Sequence, residues 1–236
     1  MSNNYFSFKQ FTIHQDDCAM KVCTDSCLFG AIVAQYLPNR NKALDIGSGT
    51  GLLSLMYAQK NAATIDAVEL DENAFIQSQQ NIAATSFANT INTFHQNIIN
   101  FATEKRYDLV FSNPPFFKSS LKSNDEARNL AMHNDALSYK SLIKKVVMLL
   151  DVNGFFAVLI PYYAKDEFIS IANNYDLILN KSFDIKQTTT HHFFRTILFF
   201  SFAKKEIEPI EIAIKDHQNN YSEAFVDLLK DYYLFL

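Results

Sequence analysis

Asn113-Pro114-Pro115-Phe116 is the stretch of this chain best equipped for chemistry on a nitrogen atom. It closes an apolar run, Leu109-Val110-Phe111-Ser112, that reads as a buried strand. An exocyclic amino nitrogen on an aromatic ring is a poor nucleophile, because its lone pair is delocalised into the ring. Two hydrogen-bond acceptors, one for each N–H, turn that lone pair outward. The Asn113 side-chain oxygen can be one acceptor and the Pro114 carbonyl the other. Neither needs to be a strong base, since the nitrogen becomes acidic only once alkylated. The two prolines hold φ near about −65° and stiffen the carbonyl. Phe116 offers a face on which a planar base can stack, worth about 1–3 kcal/mol. Asn-Pro-Pro alone is also an ordinary turn, so its meaning depends on what stands upstream.

Upstream lies a glycine turn, Asp45-Ile46-Gly47-Ser48-Gly49-Thr50-Gly51, between a short apolar strand and a helix. Glycine lets the backbone bend tightly and approach a ligand closely. The helix N-terminus beyond it can receive a carboxylate. A dinucleotide-binding loop would read G-x-G-x-x-G, but Leu52 holds the third glycine position. Glu69 ends the next strand, followed by Leu70, and is placed to accept both hydroxyls of a ribose. Asp45 would face the amino-acid part of the same ligand, through its ammonium or a water. After the third strand stand Asn97 and Ile98, at the place where the S-adenosylmethionine-dependent enzymes that this order of residues resembles put an acidic residue on the adenine edge. The Asn97 amide oxygen can still accept from the adenine amino group, and the Ile98 backbone N–H can donate to the ring. The order of glycine loop, strand-end carboxylate and Asn-Pro-Pro-aromatic resembles that of enzymes that methylate an amino nitrogen with S-adenosylmethionine, whose sulfonium carries an activated methyl. Alignment of nitrogen, methyl and sulfur would then be the main source of rate, an effect of about 7–11 kcal/mol.

Elements must hold these residues in place. Within Phe6 to Val22, the segments Phe6–Phe11 and Met20–Val22 alternate around a polar turn at His14 to Asp17 and predict a hairpin. Thr24-Asp25-Ser26 offers N-cap side chains to a helix from Cys27 to Tyr36, stopped by Pro38. Strands are expected at Ala43–Ile46, Ile65–Leu70, Ile91–His95, Tyr107–Ser112, Gly154–Ile160, Ile178–Phe183 and Arg195–Ala203, with a strand-like Ile207–Ile214 in the tail. Helices are expected at Leu52–Gln59, Glu72–Ala84, Tyr139–Leu150, Lys165–Asn174 and Ser222–Tyr232, and residues 117–134 read as a polar loop. Alternating strands and helices imply an α/β fold with a mostly parallel sheet covered on both faces. One domain over residues 1–236, with an N-terminal extension over about residues 1–38, suits the length.

Composition narrows the partners. A net charge of −4 argues against a blanket electrostatic grip on nucleic acid, though Lys140, Lys144 and Lys145 share a predicted helix face. Such clusters are equally well solvated surface. No basic-then-apolar leader opens the chain and no apolar run approaches the ~20 residues of a membrane span, so a cytoplasmic protein without membrane contact is expected. Cys18, Cys23 and Cys27 lack the paired C-x2-C knuckles of zinc sites, and Gly30 breaks the triplet of radical enzymes. No metal and no disulfide framework are expected.

Across nearly its whole length the chain resembles the bacterial tRNA1(Val) adenine-37 N6-methyltransferase family, a branch of the Rossmann-like class I methyltransferases. The resemblance is carried by Phe8-Lys9-Gln10-Phe11, Cys18 to Val22 with Thr24-Asp25, Leu44 to Leu53, Asp66 to Leu70, Ser112 to Pro115, Asn220 to Ala224 and Tyr233 to Leu236. It implies a seven-stranded sheet, S-adenosylmethionine as cofactor and methyl transfer to an adenosine in a tRNA anticodon loop. It also implies that Lys21, Thr24 and Asp25 line the pocket entrance, Asp25 towards the cofactor and Lys21 towards the substrate; a helix cap is the alternative for Thr24-Asp25. Phe117 and Arg128 become substrate contacts, Arg128 on a phosphate or in a loop-anchoring salt bridge. A monomer is expected. Cys23 and Ser26 stand where the family carries glycines, Phe116 where it carries tyrosine and Asn97 where it carries aspartate. Other amino methyltransferases, acting on guanine N2 of ribosomal RNA or on a protein glutamine, share the tetrapeptide. Guanine-N2 enzymes often follow it with His, where Phe117 stands here, and the glutamine enzymes carry a longer N-terminal helical domain. A cofactor-binding RNA chaperone without turnover is a third possibility, against which Asn113 and Glu69 speak.

Overall fold

A computed structural model describes residues 4–16, 18, 21–115, 137–203 and 209–236. Phe116, Phe117 and Arg128, and the polar loop over residues 117–134, lie outside the described residues. The strands are β1 (Tyr5–Ser7), β2 (Thr12–His14), β3 (Lys42–Ile46), β4 (Thr64–Glu69), β5 (Ile91–His95), β6 (Tyr107–Ser112), β7 (Leu150–Pro161), β8 (Ile178–Thr188), β9 (Phe193–Ser201) and β10 (Pro209–Lys215). The helices are α1 (Thr24–Tyr36), α2 (Leu52–Lys60), α3 (Glu72–Ala83), α4 (Tyr139–Leu149), α5 (Lys165–Asn173) and α6 (Glu223–Leu229).

One sheet runs in the order β10-β8-β9-β7-β6-β3-β4-β5. Every neighbouring pair is parallel except those made by β9. The sheet has eight strands, not the seven expected. The added strand, β10, runs parallel along β8 from Pro209 opposite Ser182 to Lys215 opposite Thr188. It gains its place because β8 extends beyond the expected Phe183 and leaves an edge on which Ile212 and Ile214 can be buried.

Alternation along the strands divides the core. In β6, Leu109 and Phe111 face α1, α2 and α6, while Val110 faces α4 and α5. β4 does the same with Ile65 and Ala67 against Val68. Helix α1 crosses α2 closely at Gly30, where an added Cβ would stand 2.6 Å from the Met56 sulfur.

Two local expectations change. The N-terminal hairpin turns at Phe8–Phe11 and pairs Tyr5 with His14, Phe6 with Ile13 and Ser7 with Thr12. Lys21 and Val22, expected in its second arm, carry no strand. Alternation marked Phe6-Ser7 in the first arm but ran it on through the true turn and missed the second arm, Thr12–His14; the turn sets the register. The helix α1 begins at Thr24, so Thr24, Asp25 and Ser26 lie inside it. Cys23 holds the N-cap backbone angles with no side-chain cap bond. Asp25 and Ser26 are drawn away by partners on β9 and beyond β6.

Strand order reverses between β3 and β6: β4 and β5 follow on one side, β7 on the other. A crevice opens there beyond the carboxyl ends of the strands, the usual binding place in open α/β sheets. The glycine loop leaves β3 and Asn113 leaves β6 at that point.

Candidate active site

Gly47, Gly49 and Gly51 have φ of 71°, 55° and 84°, in the left-handed region that side chains avoid. Beside Gly47 and Gly49 an added Cβ would find no atom within 4 Å, so the loop opens on space. The loop is held from below: the Gly47 and Ser48 N–H groups donate to the Val68 carbonyl at 2.9 and 3.2 Å. From the side it is held by Glu69. One carboxylate oxygen, Oε2, accepts from the Gly49 N–H at 2.7 Å. The other, Oε1, accepts from the N–H groups of Leu70 and Asp71 at 2.7 and 2.8 Å. Glu69 therefore ties the loop to the start of α3, where Asp71 caps the helix through Ala74.

Asp45 is fully buried beneath the loop. Its Oδ2 accepts from the Ser54 hydroxyl at 2.7 Å, and its Oδ1 has no partner. Burial pushes its carboxyl up to about 7, against the pull of the Ser54 bond and with a smaller push from the Glu69 charge.

Across the crevice, the end of β6 is fastened by the Ser112 hydroxyl to the Ile46 carbonyl at 2.8 Å. This brings Asn113 to the glycine loop. Lys21, Ser26, Gly47, Ser48, Gly49 and Asn113 line one open cleft. The Asn113 amide nitrogen donates to Ser26 Oγ at 3.0 Å, while its Oδ1 is buried without a partner. Ser48 Oγ is in the same condition. Buried polar atoms are nearly always satisfied, and leaving one bare costs about 1–3 kcal/mol. Two of these three bare oxygens belong to residues lining the cleft, and the third lies under the loop.

The remaining sequence candidates sit as follows. Pro114 is buried and Pro115 exposed. Leu70 is exposed beyond Glu69, and its carbonyl lies 3.0 Å from His95 Nε2. Asn97 caps its own short 3-10 turn, Oδ1 accepting from the Ile99 N–H at 2.9 Å, and Ile98 is buried with Leu44, Ile46 and Val68. Asp25 turns its carboxylate to Arg195, whose Nε donates to Oδ2 at 2.8 Å. Sequence reasoning did not assign Ser26, Ser48 or Ser54 to the site. Only Ser26 carried a signal, as a departure from a family glycine. Among the described residues no cluster of three or more His, Cys, Asp or Glu side chains could hold a metal, and no helix is long and apolar enough to cross a membrane.

Comparison with known proteins agrees with this geometry. Residues 26–147 match the methyltransferase small domain. The tRNA1(Val) (adenine(37)-N6)-methyltransferase of Pseudoalteromonas translucida is 42% identical over 97% of this chain and 98% of its own. That of Phocaeicola vulgatus is 40% identical over 99% of both. Among solved structures, a predicted O-methyltransferase of Agrobacterium tumefaciens superposes with a TM-score of 0.67 at 12% identity, covering 88% of this chain and 96% of that one. A TehB-like SAM-dependent methyltransferase of Corynebacterium glutamicum gives 0.52 at 13%, covering 78% and 89%. At such identities the structural likeness carries the fold alone. The near full-length identity carries more: this chain belongs to the tRNA1(Val) (adenine(37)-N6)-methyltransferase family.

Proposed function

We propose that this protein transfers a methyl group from S-adenosylmethionine to N6 of the adenosine at position 37, next to the anticodon, of a tRNA of the tRNA1(Val) type. One observation carries the reading: Asn113 Oδ1 is a buried acceptor with no partner, on the same cleft as an open glycine loop. The cofactor fits the residues present. The space beside Gly47 and Gly49 is what close backbone approach to a ligand requires. The bare Asp45 Oδ1 suits an ammonium, and Glu69, with three of its roughly four acceptor sites engaged, retains capacity for a ribose hydroxyl. Leu70, Asn97 and the Ile98 N–H stand by the adenine in this reading, and Gly51 starts α2 so that its N-terminus faces the carboxylate.

S-adenosylmethionine supplies the activated methyl on a sulfonium sulfur. The protein's part is orientation. Asn113 Oδ1 and the Pro114 carbonyl accept from the two amino hydrogens and turn the nitrogen lone pair towards the methyl. Pro115 stiffens that corner, and Phe116 is assigned the stacking face. Lys21, Phe117 and Arg128 are assigned to the RNA. An anticodon-loop base is already unpaired, so little energy is spent in presenting it. We read residues 1–236 as one unit acting as a cytoplasmic monomer. Burial of Phe8, Phe11 and Ile13 in the same cluster as α1 supports the single unit.

The test is incubation with labelled cofactor and unmodified total tRNA, followed by nucleoside mapping. Label in N6-methyladenosine of one anticodon-loop fragment is expected. Label in ribosomal guanine or protein glutamine instead, or in nothing, would overturn the reading.

A further inference from the structure

We infer that Asp25, Cys23 and Ser26 form a directional hydrogen-bond chain, anchored on Arg195, that decides which atom of the Asn113 carboxamide faces the cleft. The inference rests on the role given to Asn113 above. A carboxamide has two ends of nearly equal size and opposite chemistry. Its oxygen accepts and its nitrogen donates. Only with the oxygen outward can it take a hydrogen from a substrate amine; turned over, it sets donor against donor.

The chain has a polarity that begins far from the substrate. A guanidinium only donates and a carboxylate only accepts, so the Arg195 Nε to Asp25 Oδ2 bond of 2.8 Å runs one way. The Asp25 carboxylate also acts on the nearby Cys23 thiol, and in that pair only the thiol can donate. Burial first, and then the Asp25 charge, push the thiol above its ordinary range, so it keeps the proton it donates. With its hydrogen turned to Asp25, the Cys23 sulfur is left as acceptor for the Ser26 hydroxyl, 2.9 Å away. The Ser26 oxygen, its own hydrogen committed, accepts from Asn113 Nδ2 at 3.0 Å. The amide nitrogen is thereby consumed and Oδ1 is left pointing away, buried and without a partner.

The chain also accounts for the bare N-terminus of α1. Cys23 is its N-cap residue and Asp25 and Ser26 lie in its first turn, yet no side chain caps it. All three side chains are spent on the relay instead. Ser26, Cys23 and Asp25 are thus positioning residues, acting on the substrate only through Asn113.

Steady-state methylation of unmodified total tRNA by the full chain, with affinity for S-adenosylhomocysteine measured by calorimetry, tests this. Ser26→Ala frees the amide to turn over, and kcat should fall about tenfold, comparable with one net hydrogen bond, while cofactor affinity holds within about twofold. Asp25→Asn keeps the shape but lets an amide N–H face the sulfur, reversing the chain; it should lower kcat similarly. Cys23→Ser keeps a group that both donates and accepts and should stay near wild type. Adding Ser26→Ala to Asn113→Ala should change the residual rate by less than about twofold, since nothing remains to orient. If Asn113→Ala itself methylates at the normal rate, the reading of the site fails. If Asn113→Ala is crippled while Ser26→Ala and Asp25→Asn both keep normal kcat, the relay is wrong and the site reading survives. A loss of cofactor affinity in Ser26→Ala as large as its loss in kcat also overturns the relay.

Discussion

With Asp45 taking the cofactor's ammonium, as proposed above, cofactor binding should depend on pH, and the size of the coupling follows from the burial of Asp45. The rise of its carboxyl from 3.8 to about 7 comes chiefly from desolvation, with the Ser54 hydroxyl opposing and Glu69 adding to it. At about 1.4 kcal/mol per pH unit this is worth about 4 kcal/mol. The folded-state value lies above the unfolded one, so the stability associated with neutral Asp45 is complete below about pH 4 and lost as pH rises through about 7. The ligand-free protein should therefore be less stable at about pH 8 than at about pH 5. Asp45→Asn keeps the shape without the charge, and should exceed wild type in urea unfolding at about pH 8 by up to about 4 kcal/mol. Cofactor binding should make the opposite demand, because an ammonium placed beside the bare Oδ1, as proposed, would favour the carboxylate. Affinity for S-adenosylhomocysteine should climb nearly tenfold per pH unit below about 7, with release of close to one proton. It should turn down again only at higher pH, where the ligand's own amino group loses its charge. Calorimetry in buffers of different ionisation enthalpy reads both affinity and proton release. Flat affinity between about pH 5.5 and 7, with no proton released, would refute the argument.

Three other substitutions separate chemistry, cofactor binding and stability. Asn113→Ala should retain cofactor affinity and lose at least about 10²-fold in methylation rate, as when a preorganised polar contact is removed; a near-normal rate would discard its role. Glu69→Gln replaces an acceptor that ties together the Gly49, Leu70 and Asp71 amides. It should weaken cofactor binding about tenfold or more before it affects chemistry, and unchanged affinity by calorimetry would count against it. Asp66, 2% exposed, is lowered despite the upward push of burial by bonds from Lys105, Asn92 and Tyr107, at 2.7, 2.9 and 2.7 Å. Lys105→Met should cost about 1–3 kcal/mol in urea unfolding. Asp66 is held below its unfolded value, so its contribution is present above about pH 4 and lost as pH falls; the variant should unfold at a higher pH in acid, with kcat unchanged.

The glycine loop, Glu69 and Asn113-Pro114-Pro115 were legible in the chain itself because each is a local demand. A loop with φ of 71°, 55° and 84° admits little but glycine, and a strand followed by a rigid Asn-Pro-Pro corner is a short-range pattern. Strand and helix positions follow from periods of two and 3.6 residues, which any chain displays before it folds. Partners are a different matter. Alternation marked Phe6 as a strand residue but not Ile13 opposite it, and Ile207 to Ile214 as strand-like but not as an eighth strand beside β8. The ion pair of Asp25 with Arg195 joins positions 170 residues apart, and Ser26 meets Asn113 across 87. Thr24-Asp25-Ser26 reads locally as a helix cap. It became the interior of α1 because the assembled sheet brought β9 and the end of β6 to that turn, and their side chains outbid the helix's own amides for Asp25 and Ser26. Residue type and spacing marked Asn113 as a candidate acceptor at a strand end; the direction in which its amide points belongs to long-range contacts that exist only once the sheet has formed.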